Sequence, residues 1–129
     1  MVIKCGIDLV EINQIRKAID ISGERFIHKI YCPAEIKYCE SKGWQRYQGY
    51  AARFAAKEAV AKAIGLGFSQ GVSCKEIEVT NDTQGKPCVI LRGLTKEIAE
   101  AEGIMNIQVS LSHSNCHAIA MVVCYDNSK

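Results

Sequence analysis

The sequence predicts an α+β fold, in which an antiparallel sheet packs against one long helix and several short helices. Three observations predict it. Helical periodicity dominates the first half of the chain, and alternating strand patterns dominate the second half. The chain has 129 residues, 48% of them hydrophobic, which suits one modest core. We therefore expect residues 1–129 to form a single domain.

The first half begins with a predicted strand and continues with helices. Residues 2–12 carry apolar side chains on both sides of the pleat, which is typical of a strand buried on both faces. Isoleucines at helical spacing then predict a helix that ends at Gly23, followed by a short helical segment over 24–31. Pro33 suits a first helical position, so a further helix is predicted over 34–41.

The longest predicted helix covers residues 44–64. This segment is rich in alanine, the residue with the highest helix propensity, and contains no proline. Gly65 and Gly67 follow it, and glycine commonly ends a helix.

The second half reads as strands around one short helix. Alternating residues predict a hairpin formed by segments 77–80 and 89–91. A short helix is predicted over 94–101, and two final strands over 106–114 and 117–125. The predicted strands are long for so small a chain, so an oligomer that covers part of them is expected.

Composition argues against several classes of protein. A net charge of +2 is too small to indicate nucleic-acid binding. No stretch reaches the roughly 20 apolar residues of a membrane helix, so we expect no membrane association. The seven cysteines are scattered without a CxxC pair, which favours free thiols in a reducing cytoplasm over a disulfide framework.

The segment GIDLVEI contains the first candidate residue, Asp8. A carboxylate in an apolar segment is expensive to bury without a partner. A hydrogen bond to nearby backbone would be a purely structural explanation. Glu11, at the predicted junction of strand and helix, is interpreted as a residue that starts the helix.

The segment FAAKEAVAK of the long helix contains the next candidates. Glu58 and Lys62 share one face at helical spacing, whereas Arg53 and Lys57 lie on an adjacent face. A solvated Glu–Lys pair is the structural alternative, worth roughly 0.2–0.5 kcal/mol. The surrounding alanines are small enough for another element or a ligand to approach the helix closely.

Weaker signals follow in the chain. Gly65 and Gly67 would let an extended ligand approach the backbone, although a helix cap explains Gly65 equally well. Pro87 belongs to a predicted hairpin turn. Ser112 and His113, in the segment SLSHS, could hold phosphate oxygens. Zinc binding by the cluster His113, Cys116 and His117 is an alternative that lacks a second pair of ligands.

These segments together resemble the holo-acyl carrier protein synthase family of 4′-phosphopantetheinyl transferases. The resemblance rests on GIDLVEI, RFIHKIYCPAEI, RFAAKEAVAKAIGLG, GKP and SLSHS, which occur in the family's order and spacing over nearly the whole chain. It implies the transferase fold of that family, a homotrimer, and coenzyme A bound in clefts between neighbouring subunits.

The resemblance also implies roles for individual residues. Asp8 and Glu58 match the acids that hold Mg²⁺ in the family, and Lys62 matches a residue that stabilises charge on the phosphates. Magnesium prefers oxygen ligands and is usually bound by one or two carboxylates together with substrate phosphates. Coenzyme A would be contacted by Arg53, Lys62, Gly65, Pro87, Ser112 and His113.

The implied reaction joins two partners. A serine hydroxyl of an acyl carrier protein attacks the β-phosphorus of coenzyme A and expels adenosine 3′,5′-bisphosphate, which mainly requires alignment and neutralisation of negative oxygens. The basic residues Arg16, Arg25 and Lys29 match the place where the family receives its acidic carrier protein.

Two other functions are compatible with the same residues. A nucleotide hydrolase could use Asp8 and Glu58 to hold magnesium and would release product without a carrier protein. A non-enzymatic binding module could use the basic N-terminal region as its interaction surface, with the two acids in structural roles.

Overall fold

The computed structural model describes residues 1–65 and 71–128 of the chain. Most of its helices lie in the first half of the chain and most of its strands in the second half, as predicted, which confirms the α+β class. In chain order they are β1 (Ile3–Glu11), α1 (Ile12–Ser22), α2 (Glu24–Ile30), α3 (Pro33–Glu40), α4 (Arg46–Ile64), β2 (Ile77–Asn81), β3 (Pro87–Leu91), α5 (Gly93–Ala101), β4 (Asn106–His113) and β5 (His117–Tyr125).

The strands form two antiparallel sheets. The larger has the order β1-β5-β4, so that the last strand of the chain lies between the other two. Ala120 on the central strand is paired with Asp8 on one side and with Leu111 on the other. The smaller sheet is the predicted hairpin of β2 and β3.

Helix α4 packs against both sheets because its inward surface is made of alanine. Ala55, Ala56 and Ala59 are fully buried. Strand β1 crosses the helix so closely at Gly6 that a Cβ there would lie 2.0 Å from the carbonyl oxygen of Ala59. The sequence-based expectation that another element approaches the alanine-rich helix is therefore confirmed.

The core lies where α4 meets the sheets, and side chains from α1 close one end of it. Several isoleucines of α1 are buried there at the predicted helical spacing. Besides the alanines of α4 and α5, the most deeply buried apolar side chains of the cluster are Tyr31, Cys39, Tyr50, Val60, Ile64, Ile77, Val79, Ala118, Ala120, Val122 and Cys124.

The prediction that β1 is buried on both faces is wrong. Ile3, Ile7 and Leu9 are 65%, 56% and 62% exposed, and Met121 beside them on β5 is 48% exposed. Gly6 and Val10, on the other face of the strand, are buried. The outer face of the larger sheet is thus apolar without being covered by any element in the described ranges 1–65 and 71–128.

Element boundaries shift slightly from the predicted ones. Trp44 belongs to a 3₁₀ turn over Gly43–Gln45, and the α-helix begins only at Arg46. Pro33 is the first residue of α3, as predicted. Gly65 ends α4 in the left-handed conformation with φ of 88°, whereas Gly67 lies outside the described residues. In the portion that the structure describes, none of the helices has the length and apolarity to cross a bilayer.

Candidate functional site

An acidic cluster forms where β1 crosses α4. Residues 6 and 8 point to the same face of a strand, so the close approach at Gly6 carries Asp8 to the flank of the helix. There the Lys62 ammonium lies 3.0 Å from Asp8 Oδ1 and also donates to the Ile7 carbonyl oxygen at 3.1 Å. The Asp8 side chain is 16% exposed and that of Lys62 is 55% exposed, so the cluster opens to solvent.

Glu58 belongs to the same cluster. Burial raises the pKa of its carboxyl group above the usual range, the negative charge of Asp8 raises that pKa further, and Lys62 lowers it. The effect of Asp8 on this pKa means that the two carboxyl groups are close enough to repel. Residues distant in sequence, Asp8 and Glu58, are therefore brought together as the sequence analysis predicted.

The ion pair that Lys62 makes differs from the structural alternative derived from the sequence. Helical spacing suggested a Glu58–Lys62 pair on a solvated face, but the ammonium of Lys62 pairs with Asp8 instead. With two carboxyl groups and one ammonium group, the cluster can bind a cation. It can also bind an anionic group to which a cation is already bound.

A groove of about 350 Å³ collects most of the other candidates. Arg53 reaches it from α4, Pro87 from the start of β3, and Ser112 and His113 from the end of β4. Tyr38, Lys42, Gln45 and Gln48 also line it and were not identified from the sequence. The described lining contains three basic side chains (Lys42, Arg53 and His113) and no acidic one, so the groove suits a negatively charged ligand.

Arg53 is held in place at the wall of this groove. It is only 4% exposed, donates to Asn81 Oδ1 at 2.8 Å, and lies 4.1 Å from the centroid of the Tyr38 ring. Its Nε has no hydrogen-bond partner among the described residues. A buried donor of this kind is costly to leave unpaired, and an oxygen of a ligand in the groove would satisfy it.

A buried ion pair that the sequence analysis missed supports the hairpin beside the groove. Lys57 and Glu35 are both fully buried with their charged atoms 2.9 Å apart. Lys57 also donates to the carbonyl oxygens of Cys74 and Ile77, and Glu35 accepts from the backbone N–H of Val79. These bonds fasten α3 and α4 to β2, the strand that ends at Asn81.

None of the cysteines is among the described residues that line the groove. All seven are free, and burial raises the pKa of Cys32 and of Cys74 to about 11, which disfavours the reactive thiolate. Over residues 1–65 and 71–128, no group of three or more His, Cys, Asp or Glu side chains converges in a way that could hold a metal. The zinc alternative at His113, Cys116 and His117 therefore has no structural support.

The acidic cluster and the groove lie at different edges of the larger sheet. Asp8 is on β1 and His113 on β4, the two edge strands of the larger sheet. On α4, Arg53 and Glu58 are five residues apart and so point about 140° away from each other around the helix axis. Gly65 lies at the end of α4 with open space around it. No described pocket contains both sets of residues.

Comparison with known proteins defines the class. Residues 4–120 match the family model described as the 4′-phosphopantetheinyl transferase superfamily. This chain belongs to that superfamily, and its assignment to a family of enzymes is confirmed.

Its relatives narrow the class to one kind of transferase. The chain is 46% identical over 118 residues to a holo-[acyl-carrier-protein] synthase of Ruminiclostridium cellulolyticum, covering 92% of this chain and 88% of the relative. It is 40% identical over 126 residues to the synthase of Koribacter versatilis, covering 98% of this chain and 100% of the relative.

Solved structures agree with the fold. The synthase from Neisseria meningitidis superimposes with a TM-score of 0.86 at 30% identity, covering 95% of this chain and 98% of that one. The synthase from Helicobacter pylori, described in complex with coenzyme A, gives a TM-score of 0.81 at 31% identity, covering 93% of this chain and 98% of that one. The transferase fold and the family resemblance predicted from the sequence are confirmed.

Proposed function

We propose that this chain transfers the 4′-phosphopantetheine group of coenzyme A to a serine hydroxyl of an apo-acyl carrier protein. The observation that carries the proposal is the convergence of Asp8, Glu58 and Lys62 in a member of this superfamily. The serine oxygen forms a bond to the β-phosphorus of coenzyme A. The bond between that phosphorus and the bridging pyrophosphate oxygen breaks, and adenosine 3′,5′-bisphosphate leaves with the bonding electrons, while the proton of the serine hydroxyl is released to water.

Magnesium fits the acidic cluster. Asp8 and Glu58 offer carboxylate oxygens, the donors that Mg²⁺ prefers, and two carboxylates complete a site of this kind when substrate phosphates and waters supply the rest. Burial raises the pKa of Glu58, and the negative charge of Asp8 raises it further; a divalent cation held between the two carboxyl groups would relieve their repulsion. When bound, magnesium would supply positive charge next to the pyrophosphate. Lys62 adds an exposed ammonium to the same cluster and would contact phosphate oxygens.

The nucleotide end of coenzyme A fits the groove. Arg53 and His113 would contact its phosphates, with Ser112 and Pro87 beside its other parts. The unpaired Nε of Arg53 supports a ligand oxygen at that position. Gly65 ends α4 just beyond Lys62, where the bare backbone leaves room for the extended pantetheine chain.

A homotrimer would unite the two clusters. One chain carries the acids on β1 and the groove near β4, on opposite edges of its sheet. The exposed apolar face formed by Ile3, Ile7, Leu9 and Met121 is the kind of surface that subunit contacts cover. Neighbouring chains that meet at these faces would form clefts with an acidic cluster from one subunit and a groove from the next.

The carrier protein would dock on the basic surface of α1 and α2. Arg16, Arg25 and Lys29 are exposed there, and Arg16 also lies 5.2 Å from the centroid of the Tyr47 ring. An acidic carrier would be attracted to this surface. We expect the reaction to take place in the cytoplasm, in keeping with seven free thiols, and residues 1–129 to act as one transferase domain.

The deciding experiment is an intact-mass measurement. The protein would be incubated with coenzyme A, Mg²⁺ and an apo-carrier protein, and the carrier should gain the mass of one phosphopantetheine. Release of adenosine 3′,5′-bisphosphate without any gain in carrier mass would indicate the hydrolase instead. If folded protein transfers phosphopantetheine to none of several carrier proteins, the transferase function is contradicted.

A further inference from the structure

Trp44 is the most exposed aromatic side chain among the described residues. It belongs neither to the acidic cluster nor to the described residues that line the groove. It is 81% exposed and lies in the 3₁₀ turn Gly43–Gln45 between α3 and α4. Tryptophan offers a large flat ring with a polar N–H, and such side chains are enriched at binding interfaces.

The turn lies at the edge of the groove. Lys42 and Gln45, on either side of Trp44 in the chain, both line the groove. The Gln45 N–H donates to the Lys42 carbonyl oxygen at 3.1 Å, and Arg46 donates to both carboxylate oxygens of Glu40 at 3.0 Å. The backbone of the turn is thus fastened on both sides, while the indole ring of Trp44 is left free.

The groove offers a flat ligand only one apolar surface. Pro87 and Leu111 give it an apolar wall. Two aromatic rings from the described ranges line it: that of Tyr38 is already covered by the Arg53 guanidinium at 4.1 Å, and the imidazole of His113 is assigned to the phosphates. A heteroaromatic base in the groove would therefore find no uncommitted ring among the described lining residues.

We infer that Trp44 stacks on the adenine base of coenzyme A and closes the groove over it. The base would lie between the indole ring and the wall of Pro87 and Leu111, while its phosphates meet the basic side chains. This inference rests on the proposed function, since it takes coenzyme A as the occupant of the groove. It adds a binding residue that recognises the nucleotide and leaves the reacting phosphorus untouched.

Trp44 is the only tryptophan of the chain, so intrinsic tryptophan fluorescence reports on it alone. We expect adenosine 3′,5′-bisphosphate and coenzyme A to quench this emission, whereas 4′-phosphopantetheine, which has no base, leaves it unchanged. Binding of the same ligands would be measured in parallel by calorimetry, which does not depend on the tryptophan.

Steady-state kinetics provide the second readout. Trp44→Ala should raise the KM for coenzyme A about 5- to 150-fold, the range for loss of one base–aromatic stack, with the effect falling on KM rather than on kcat. Trp44→Phe retains a ring and should recover most of the affinity. Ile21→Ala removes an apolar side chain of similar exposure (83%) from the end of α1 and should keep the KM for coenzyme A.

The outcomes separate this inference from the function on which it rests. Calorimetric binding of coenzyme A with unchanged emission, or an unchanged KM in Trp44→Ala, would overturn the role of Trp44 and leave the transferase standing. An emission change produced by the carrier protein alone would also overturn it. Failure of coenzyme A to bind the folded protein at all would overturn both.

Discussion

Asp8 acquires its partner from a residue 54 positions away in the chain. The sequence indicated that a carboxylate in GIDLVEI needs a partner, and helical spacing put Glu58 and Lys62 on one face. It could not indicate that Lys62 would turn to Asp8 rather than to Glu58, because that choice depends on where β1 crosses the helix. The family resemblance assigned Asp8, Glu58 and Lys62 to one site, but neither it nor the helical spacing indicated the ion pair between Asp8 and Lys62.

Replacing either acid with its amide tests the role of the cluster. Glu58→Gln and Asp8→Asn keep the size of the side chain but remove the charge that would hold Mg²⁺, so we expect transfer to fall about 100-fold or more in each. Circular dichroism should show an unchanged fold. Glu97→Gln, an exposed acid on α5, is the matched control and should keep full activity. Full transfer by either amide variant at low magnesium would rule out these ligands.

Lys57 and Glu35 show where residue patterns give too little information. Helical spacing placed Lys57 beside Arg53 on one face of the predicted helix. Glu35, the acid with which Lys57 forms its ion pair, lies on a different helix, α3. Lysine and glutamate are almost never fully buried unless paired. A sequence pattern therefore gives no reason to expect either residue in the core, and the pair becomes visible only in the assembled fold. The tyrosine and lysine that line the groove, Tyr38 and Lys42, escaped prediction for the same reason.

At the scale of elements, the alanine content of α4 was informative. It predicted both the long helix and a close neighbour, and the neighbour is β1 at Gly6. The sequence did not identify Gly6 as the contact point, since a glycine in a strand pattern fits several explanations.

Gly6→Ala measures how tightly strand and helix are joined. The added Cβ would lie 2.0 Å from the backbone carbonyl oxygen of Ala59, which cannot move aside as a flexible side chain would. We expect a loss of about 3 kcal/mol or more in the free energy of unfolding, measured by urea denaturation.

Gly49→Ala is the matched control for this variant. It is a glycine inside α4 whose Cβ would lie 3.1 Å from the Cys39 sulfur, a side-chain atom that can shift slightly. The better helix propensity of alanine offsets the contact, so the change should stay within about 1 kcal/mol. Equal denaturation midpoints for Gly6→Ala and the unmodified protein would contradict the close crossing.

The distribution of apolar residues in strand β1 explains why its burial was predicted wrongly. Apolar residues on both sides of a strand indicate two covered faces, but not what covers them. In one chain α4 covers the inner face, and Ile3, Ile7 and Leu9 remain exposed on the other. The error in burial is therefore itself an indication of subunit contacts.

At the scale of the whole molecule, the proposed trimer depends on this outer face. Met121→Glu places a charge at the centre of the face, on β5, where Met121 is 48% exposed. We expect the variant to sediment as a monomer and to lose transfer while keeping its secondary structure, because a charge is costly to bury without a partner.

Ile21→Glu serves as its control. It introduces the same charge at a position 83% exposed on α1, away from the sheet, and should leave the assembly unchanged. An unmodified protein that is fully active while sedimenting as a monomer would contradict the trimer.

Because the acidic cluster lies on one flank of α4 and Arg53 on another, each copy of the chain in the proposed trimer would take part in two clefts. A ring of three copies could then retain some transferase activity when its chains carry different defects. If one allele encodes a chain defective in Asp8 and another a chain defective in Arg53, each alone yields only impaired clefts. Mixed rings would contain some clefts assembled from two intact halves, so the two faulty alleles would complement each other in one cell.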